Sequence, residues 1–128
     1  MIDPVAYLDL DDVLDLAARL LGAPVPIRDV GLLGSAVARP QTTIGGEEAY
    51  PDLWSKAAAL LQSIVGNHAL VDGNNRLGWL ATAVFLEVND EPVTDASNDD
   101  VYELVMAVAA TSITVGDLAE RLRALVGR

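Results

Sequence analysis

The residues of this chain that are best suited to chemistry lie in one stretch, residues 68–76, with the sequence HALVDGNNR. His68 is the only histidine in the sequence, and a neutral imidazole can take a proton from an attacking hydroxyl near pH 7. Asp72 offers a carboxylate that can hold a magnesium ion arriving with nucleotide phosphates. Arg76 adds a planar fork of donors that suits phosphate oxygens. This combination of residue types indicates phosphate chemistry.

The residues between this aspartate and this arginine predict a tight turn that leads into a helix. Gly73 lets the backbone turn sharply, so that the first amides of the next helix can point at an anion. Taken singly these signals are weak, because a lone histidine is usually structural and Asp-Gly-Asn is a common turn sequence. Their joint occurrence in a loop between two predicted helices favours a functional site.

The order of these residues resembles the Fic/Doc motif, whose general form is His-x-Phe-x-Asp/Glu-Gly-Asn-x-Arg. The likeness is greatest to the Doc (death-on-curing) branch, the toxins of bacterial type II toxin–antitoxin pairs, and it extends from about residue 29 to the C-terminal helix. Two positions depart from the motif. Leu70 stands where phenylalanine is usual, which is an apolar exchange. Asn75 stands where Doc-type toxins carry lysine and adenylyl-transferring Fic proteins carry glycine.

The resemblance implies that ATP binds with Mg²⁺ in the motif groove, with its phosphates over the N-terminus of the following helix. Asp72 would hold the metal, and His68 would deprotonate a hydroxyl of a target protein. Together with Arg76 they form the implied catalytic set. The residues implied to contact the nucleotide are Gly73, Asn74, Asn75 and Arg76.

Position 75 leaves the reaction open. Doc-type toxins transfer the γ-phosphate and so act as protein kinases on the translation machinery, with elongation factor Tu as the expected target. Fic-type enzymes transfer AMP instead. A lysine at position 75 would add a charge at the phosphates and a glycine would leave space for the other nucleotide orientation, whereas Asn75 supplies only a dipole. The alternatives to a kinase are therefore an adenylyltransferase or a catalytically weakened antitoxin-binding module.

The resemblance also implies two protein partners, a Phd-like antitoxin and a target protein. The antitoxin would fold its C-terminal segment into the toxin's groove. The target would be held along a flap, which the sequence places at residues 41–50, because Thr-Thr-Ile followed by Gly-Gly is typical of a small hairpin. Strand pairing with such a flap is a known mode of peptide capture. The residues expected to bind the target are Thr42, Thr43 and Ile44.

Composition limits the remaining function classes. The sequence has 128 residues, of which 52% are apolar and 21% charged, which suits one globular domain over residues 1–128. The absence of cysteine fits a reducing cytoplasm, and no secretory signal is expected because acidic groups precede the first basic residue. The longest apolar run, residues 77–86, is too short to span a membrane. The net charge of −11 argues against nucleic acid as a direct partner.

Apolar periodicity predicts an all-α domain of six helices with the flap inserted. The expected helices cover about residues 9–21, 29–38, 51–66 and 75–88, followed by two that begin at capping signals, Ser97 with Asp100 and Thr114 with Asp117. Apolar residues surround the helix at 75–88, which predicts that it is the buried central one, and its Gly78 suggests that another backbone passes close by. The inward residues expected for the last two helices are Val101, Leu104, Val105, Val108, Ala109, Val115, Leu118, Leu122 and Leu125, with Arg121, Arg123 and Arg128 near the C-terminus.

Overall fold

Six α-helices and a two-stranded antiparallel sheet form the protein, in a computed structural model that describes residues 4–110 and 112–127. The helices are α1 Leu10–Leu21, α2 Val30–Ala38, α3 Leu53–Asn67, α4 Asn74–Val88, α5 Asn98–Ala110 and α6 Val115–Val126. A 3-10 turn, Arg39–Gln41, follows α2, and the strands β1 Thr43–Ile44 and β2 Glu47–Glu48 come before α3. This confirms the predicted all-α fold with six helices and a short hairpin.

Side-chain caps explain where most of these helices begin. The carboxylates of Asp9, Asp29 and Asp52 accept hydrogen bonds from backbone N–H groups in the first turns of α1, α2 and α3. Because Asp52 is the cap, α3 begins at Leu53, two residues later than predicted. The capping signals of the last two helices are confirmed: the Ser97 and Thr114 hydroxyls each accept a backbone N–H at 3.1 Å.

The central helix of the fold is α3, which packs against α2, α4, α5 and α6. Ala57, Ala58 and Ala59 are each fully buried, and since consecutive helical residues point in different directions, α3 must be covered on several sides. The prediction that residues 75–88 form the central helix was wrong. Neighbours cover only part of α4, and its last residue, Val88, is 51% exposed.

The last two helices bury most of the residues expected to face inward. Ala109 is an exception because it lies on the exposed side of α5. Three others are only partly buried: Val101, Val115 and Leu125. Arg121 and Arg123 are exposed near the end of α6, and Arg128 lies outside the described residues.

The two helices that flank the motif loop approach each other closely at Gly78. A Cβ at this position would come within 2.8 Å of Val65 Cγ2 on α3. Gly78 therefore marks a close approach, as predicted, although the nearest atoms belong to side chains and not to another backbone. This contact fixes the spacing of α3 and α4, and so of the two ends of the loop between them.

Two cations fasten the hairpin to α3. Lys56, which is 1% exposed, donates to Glu48 Oε1 at 2.9 Å and also to the Tyr50 carbonyl. Arg39 donates through Nε to the Tyr50 hydroxyl at 2.9 Å and through Nη1 to Ser63 Oγ at 2.9 Å. The base of the flap is thereby tied to the most buried helix.

None of the helices within residues 4–110 and 112–127 combines the length and the apolar composition that crossing a bilayer requires.

Candidate functional site

The motif loop joins the C-terminus of α3 to the N-terminus of α4, and its two ends have left-handed backbone conformations. His68 caps α3 with φ 51° and ψ 44°. Gly73 precedes α4 with φ 89° and ψ 10°. Left-handed geometry is ordinary for glycine but uncommon for histidine. The loop therefore holds the one histidine of the sequence in a conformation that its own preferences do not favour.

One groove, with a volume of about 320 Å³, brings the predicted catalytic and nucleotide-binding residues together. Its lining consists of His68, Val71, Asp72, Gly73, Asn74, Asn75 and Arg76. Val71 was not among the predicted site residues. The signal that could have found it is its place inside the motif, as an apolar residue next to a residue expected to bind metal, and its side chain is 71% exposed.

Gly73 is required at this position for two separate reasons. Its φ of 89° is strained for any residue with a Cβ. A Cβ would also lie 2.7 Å from Leu21 Cδ2, at the end of α1. The Gly73 N–H donates to Asp72 Oδ1 at 2.8 Å, so this turn also orients the carboxylate that is expected to hold the metal.

The side chain of Asn74 holds the loop together. Its Oδ1 accepts from the Leu70 N–H at 3.0 Å and its Nδ2 donates to the Leu70 carbonyl at 3.0 Å. Since these bonds occupy both ends of the amide, one N–H remains for any other acceptor. The contact of Asn74 with phosphate stays a prediction, and the role that the structure gives this residue is to fix the loop.

The N-terminus of α4 is left open. Among the residues that the structure describes, no side chain caps this helix, whereas Asp, Ser or Thr side chains accept from the first-turn amides of the other five. The first backbone N–H groups of α4 therefore remain free to donate a hydrogen bond, and the positive end of the helix dipole faces the groove. Asn75 is half-buried here and Arg76 is exposed. Such a helix end suits an anion such as a phosphate group.

A segment distant in sequence braces the loop from the other side. Ile27 and Leu70 form an antiparallel bridge, and the Val71 N–H donates to the Pro26 carbonyl at 2.8 Å. The backbone N–H groups of residues 28 and 29 both donate to the Ala69 carbonyl, at 2.8 and 3.0 Å. This brace was not predicted from the sequence. Its one signal was the pair of prolines at 24 and 26, which predicts extended backbone able to pair.

The three residues expected to bind the target lie at the start of the hairpin and do not line the motif groove. Thr43 and Ile44 form β1 and pair with Glu48 and Glu47 respectively. The Thr42 hydroxyl donates to the Arg39 carbonyl at 2.7 Å, and Ile44 is 72% exposed. The structure thus confirms a hairpin at this position, while its binding of a target stays a prediction.

A metal at this site would take most of its coordinating atoms from the nucleotide that arrives with it. Within residues 4–110 and 112–127 there is no cluster of three or more His, Cys, Asp or Glu side chains that could hold an ion. Mg²⁺ commonly binds through one or two carboxylates together with substrate phosphates. The exposed Asp72 carboxylate, beside an open helix N-terminus, fits an ion that arrives with a nucleotide.

Comparison with known proteins identifies the family. The model of the Fic/DOC family matches residues 7–86, which include α1 to most of α4 and the whole groove. A relative from Mycolicibacterium smegmatis, Toxin Doc, is 46% identical over 117 residues, which cover 91% of this chain and 90% of the relative. This match leaves out only about a tenth of the chain, so it extends beyond the residues that the family model covers. On both grounds, the chain belongs to the Fic/Doc family.

Proposed function

We propose that this protein is the toxin of a toxin–antitoxin pair and that it transfers the γ-phosphate of ATP to a Ser or Thr hydroxyl of a translation protein, with elongation factor Tu as the expected target. The observation that carries the proposal is the groove, in which the sole histidine and Asp72 lie beside the uncapped N-terminus of α4. The similarity to a relative named Toxin Doc supports the toxin role.

The groove residues divide the work of phosphoryl transfer among them. The open amides of α4 and the Arg76 guanidinium bind phosphate oxygens. Asp72 would hold Mg²⁺, which would supply positive charge against the charge that develops on the transferred group. His68 takes the proton of the target hydroxyl as its oxygen bonds to the γ-phosphorus, and the bond from that phosphorus to the bridging oxygen breaks to release ADP. The products are the phosphorylated protein, ADP and a proton on the imidazole.

A second candidate function rests on Asn75. This residue lines the groove and is half-buried there, and it supplies a dipole where Doc-type toxins have a charge. Weaker stabilisation of the γ-phosphate favours either transfer of AMP from the α-phosphate or a module that binds its antitoxin without chemistry.

Labelled nucleotides separate these functions. The purified chain is incubated with purified elongation factor Tu, Mg²⁺ and ATP labelled at either the γ- or the α-phosphate, with His68→Asn as the inactive control. Label transferred from γ-labelled ATP supports the kinase, and label from α-labelled ATP supports adenylyl transfer. If neither label reaches any protein, including those of a cell extract, the kinase proposal fails.

The antitoxin is tested separately by growth. We expect expression of the chain to arrest growth, and co-expression of a small Phd-like protein encoded beside it to restore growth through its C-terminal segment. An antitoxin truncated before that segment is the control. Arrest that no co-encoded protein relieves would contradict the proposed partner.

A further inference from the structure

The left-handed backbone of His68 needs support from outside the residue. At φ 51° and ψ 44° it occupies the left-handed region, which residues other than glycine adopt uncommonly, although histidine does so more often than most. Such conformations persist where surrounding contacts determine them. In the described part of the chain, no group hydrogen-bonds to the imidazole, which is exposed. The direction of the ring therefore depends on the backbone from which it projects.

The contact that holds this backbone comes from Arg28. Its guanidinium Nη2 donates to the His68 carbonyl, while its own backbone N–H donates to the next carbonyl in the loop, that of Ala69, at 2.8 Å. One residue thus binds two consecutive carbonyls. The His68 carbonyl lies at the C-terminus of α3, the negative end of the helix, where a cation binds favourably. Because ψ of His68 sets the direction of this carbonyl, holding the oxygen also holds ψ.

We propose that Arg28 is the positioning residue for His68: by fixing the His68 carbonyl it keeps the residue left-handed and so directs the imidazole into the motif groove. This inference rests on the proposed function of His68 as the proton acceptor. Arg28 does not line the groove, so it acts through His68 and not on the phosphates. Loss of the guanidinium is therefore expected to lower the rate of transfer more than the affinity for ATP.

The experiment compares Arg28→Gln and Arg28→Lys with Arg19→Gln as the matched control. Arg19 is an exposed arginine whose ion pair with Asp15, at 3.1 Å, lies on α1. Since the sequence has one histidine, two-dimensional NMR of the imidazole reports His68 without assignment. We expect Arg28→Gln to shift or broaden this signal and to lower kcat by about tenfold or more, with KM for ATP changed less than about twofold, because misplacement of a catalytic group reduces rate steeply. Arg28→Lys keeps a cation and a donor and should recover most of both readouts. Arg19→Gln should change neither.

Two results would overturn the inference. One is that Arg28→Gln has the same imidazole signal and the same kcat as the unmodified chain. The other is a fall in kcat that Arg28→Lys does not relieve and that comes with an equal rise in KM, since this would mean direct contact with the nucleotide. If Arg28→Gln does not fold, judged by circular dichroism, Arg28→Met, which keeps the aliphatic part of the side chain but has no donor, takes its place in both measurements. Absence of transfer in the unmodified chain would defeat the kinase proposal, and the NMR comparison would still decide whether Arg28 positions His68.

Discussion

The side chain of Leu21, at the end of α1, occupies the space into which a Cβ at position 73 would project, with Cδ2 only 2.7 Å from that point. Gly73 is also the residue from which α4 starts, with φ 89°. The position of the groove thus depends on the packing of a helix that contributes no lining residue to it.

We predict that Gly73→Ala lowers the free energy of unfolding by about 1–3 kcal/mol, because the methyl group both meets Leu21 and strains the left-handed backbone. Adding Leu21→Ala to Gly73→Ala removes the clash but not the strain. In urea denaturation the double variant should therefore lose less stability than the sum of the two single variants. Simple additivity of the two changes would contradict a direct contact between these residues.

The left-handed conformation of His68 determines which inactivating substitution is the cleanest. Asparagine tolerates this backbone better than alanine does, so His68→Asn should unfold at a higher urea concentration than His68→Ala. Either change removes the proposed proton acceptor and should lower transfer by about 10²–10⁴-fold. The measurements are the denaturation midpoint and the initial rate with labelled ATP. A His68→Asn variant that keeps its transfer rate and its toxicity would rule out the imidazole as the base.

Local signals in the sequence were enough to predict the helices and most of the residues that line the groove. Caps such as Ser97 and Thr114 act within one turn of the chain, so they are legible without tertiary information. The groove was predictable because its residues are nearly contiguous, between positions 68 and 76. In this region the residues that lie together in the structure are also close together in the sequence.

What the sequence did not predict depends on contacts between distant residues. The brace of the motif loop joins Arg28 to His68, 40 positions apart, and no periodicity links such a pair. The helix α3 is central because several other helices cover its alanines. Apolar content alone, which is all that the sequence offers, favoured α4. The bonds of the Asn74 side chain to Leu70 were not predicted either, since they form only when the loop folds.

The buried Lys56 makes the free energy of unfolding depend on pH in the alkaline range. Burial by itself lowers the pKa of Lys56, but its interactions with Glu48 and Tyr7 raise it, and the net result is a pKa above the ordinary 10.5. A pKa that is higher in the folded state stabilises the fold fully below the unfolded value, and this stabilisation is lost as pH rises through the folded value.

We therefore predict that Lys56→Met lowers stability at pH 7 by about 1–3 kcal/mol, because Glu48 and the Tyr50 carbonyl lose their donor. The difference from the unmodified chain should shrink as pH rises above about 10.5, the ordinary pKa that Lys56 has in the unfolded chain, because the stabilisation is lost between this value and the higher pKa of the folded state. Urea denaturation of both proteins between pH 7 and pH 11.5 measures this difference. A difference that stays constant across this range would show that the charge of Lys56 contributes nothing.

The last prediction concerns Asn75, which lines the groove at the start of α4 and is half-buried there. Asn75→Lys would place a cation beside the open amides of the helix, where charge-assisted hydrogen bonds are roughly twice as strong as neutral ones. Since the loss of one donor to a developing charge costs about 10²–10³ in rate, we expect the added cation to raise γ-phosphoryl transfer and growth inhibition by at least about tenfold.

The control for this prediction is Asn75→Gln, which lengthens the side chain without adding charge and should not raise the rate. Asn75→Gly, which opens space in the groove, should instead favour transfer from α-labelled ATP. The measurement is the initial rate with each labelled ATP for the unmodified chain and the three variants. Stability should change little, because the helix end borders solvent and Asn75 is not in the core. Equal γ-transfer rates in the unmodified chain and Asn75→Lys would show that position 75 does not limit the reaction, and the weakened-module alternative would then lose the residue that supports it.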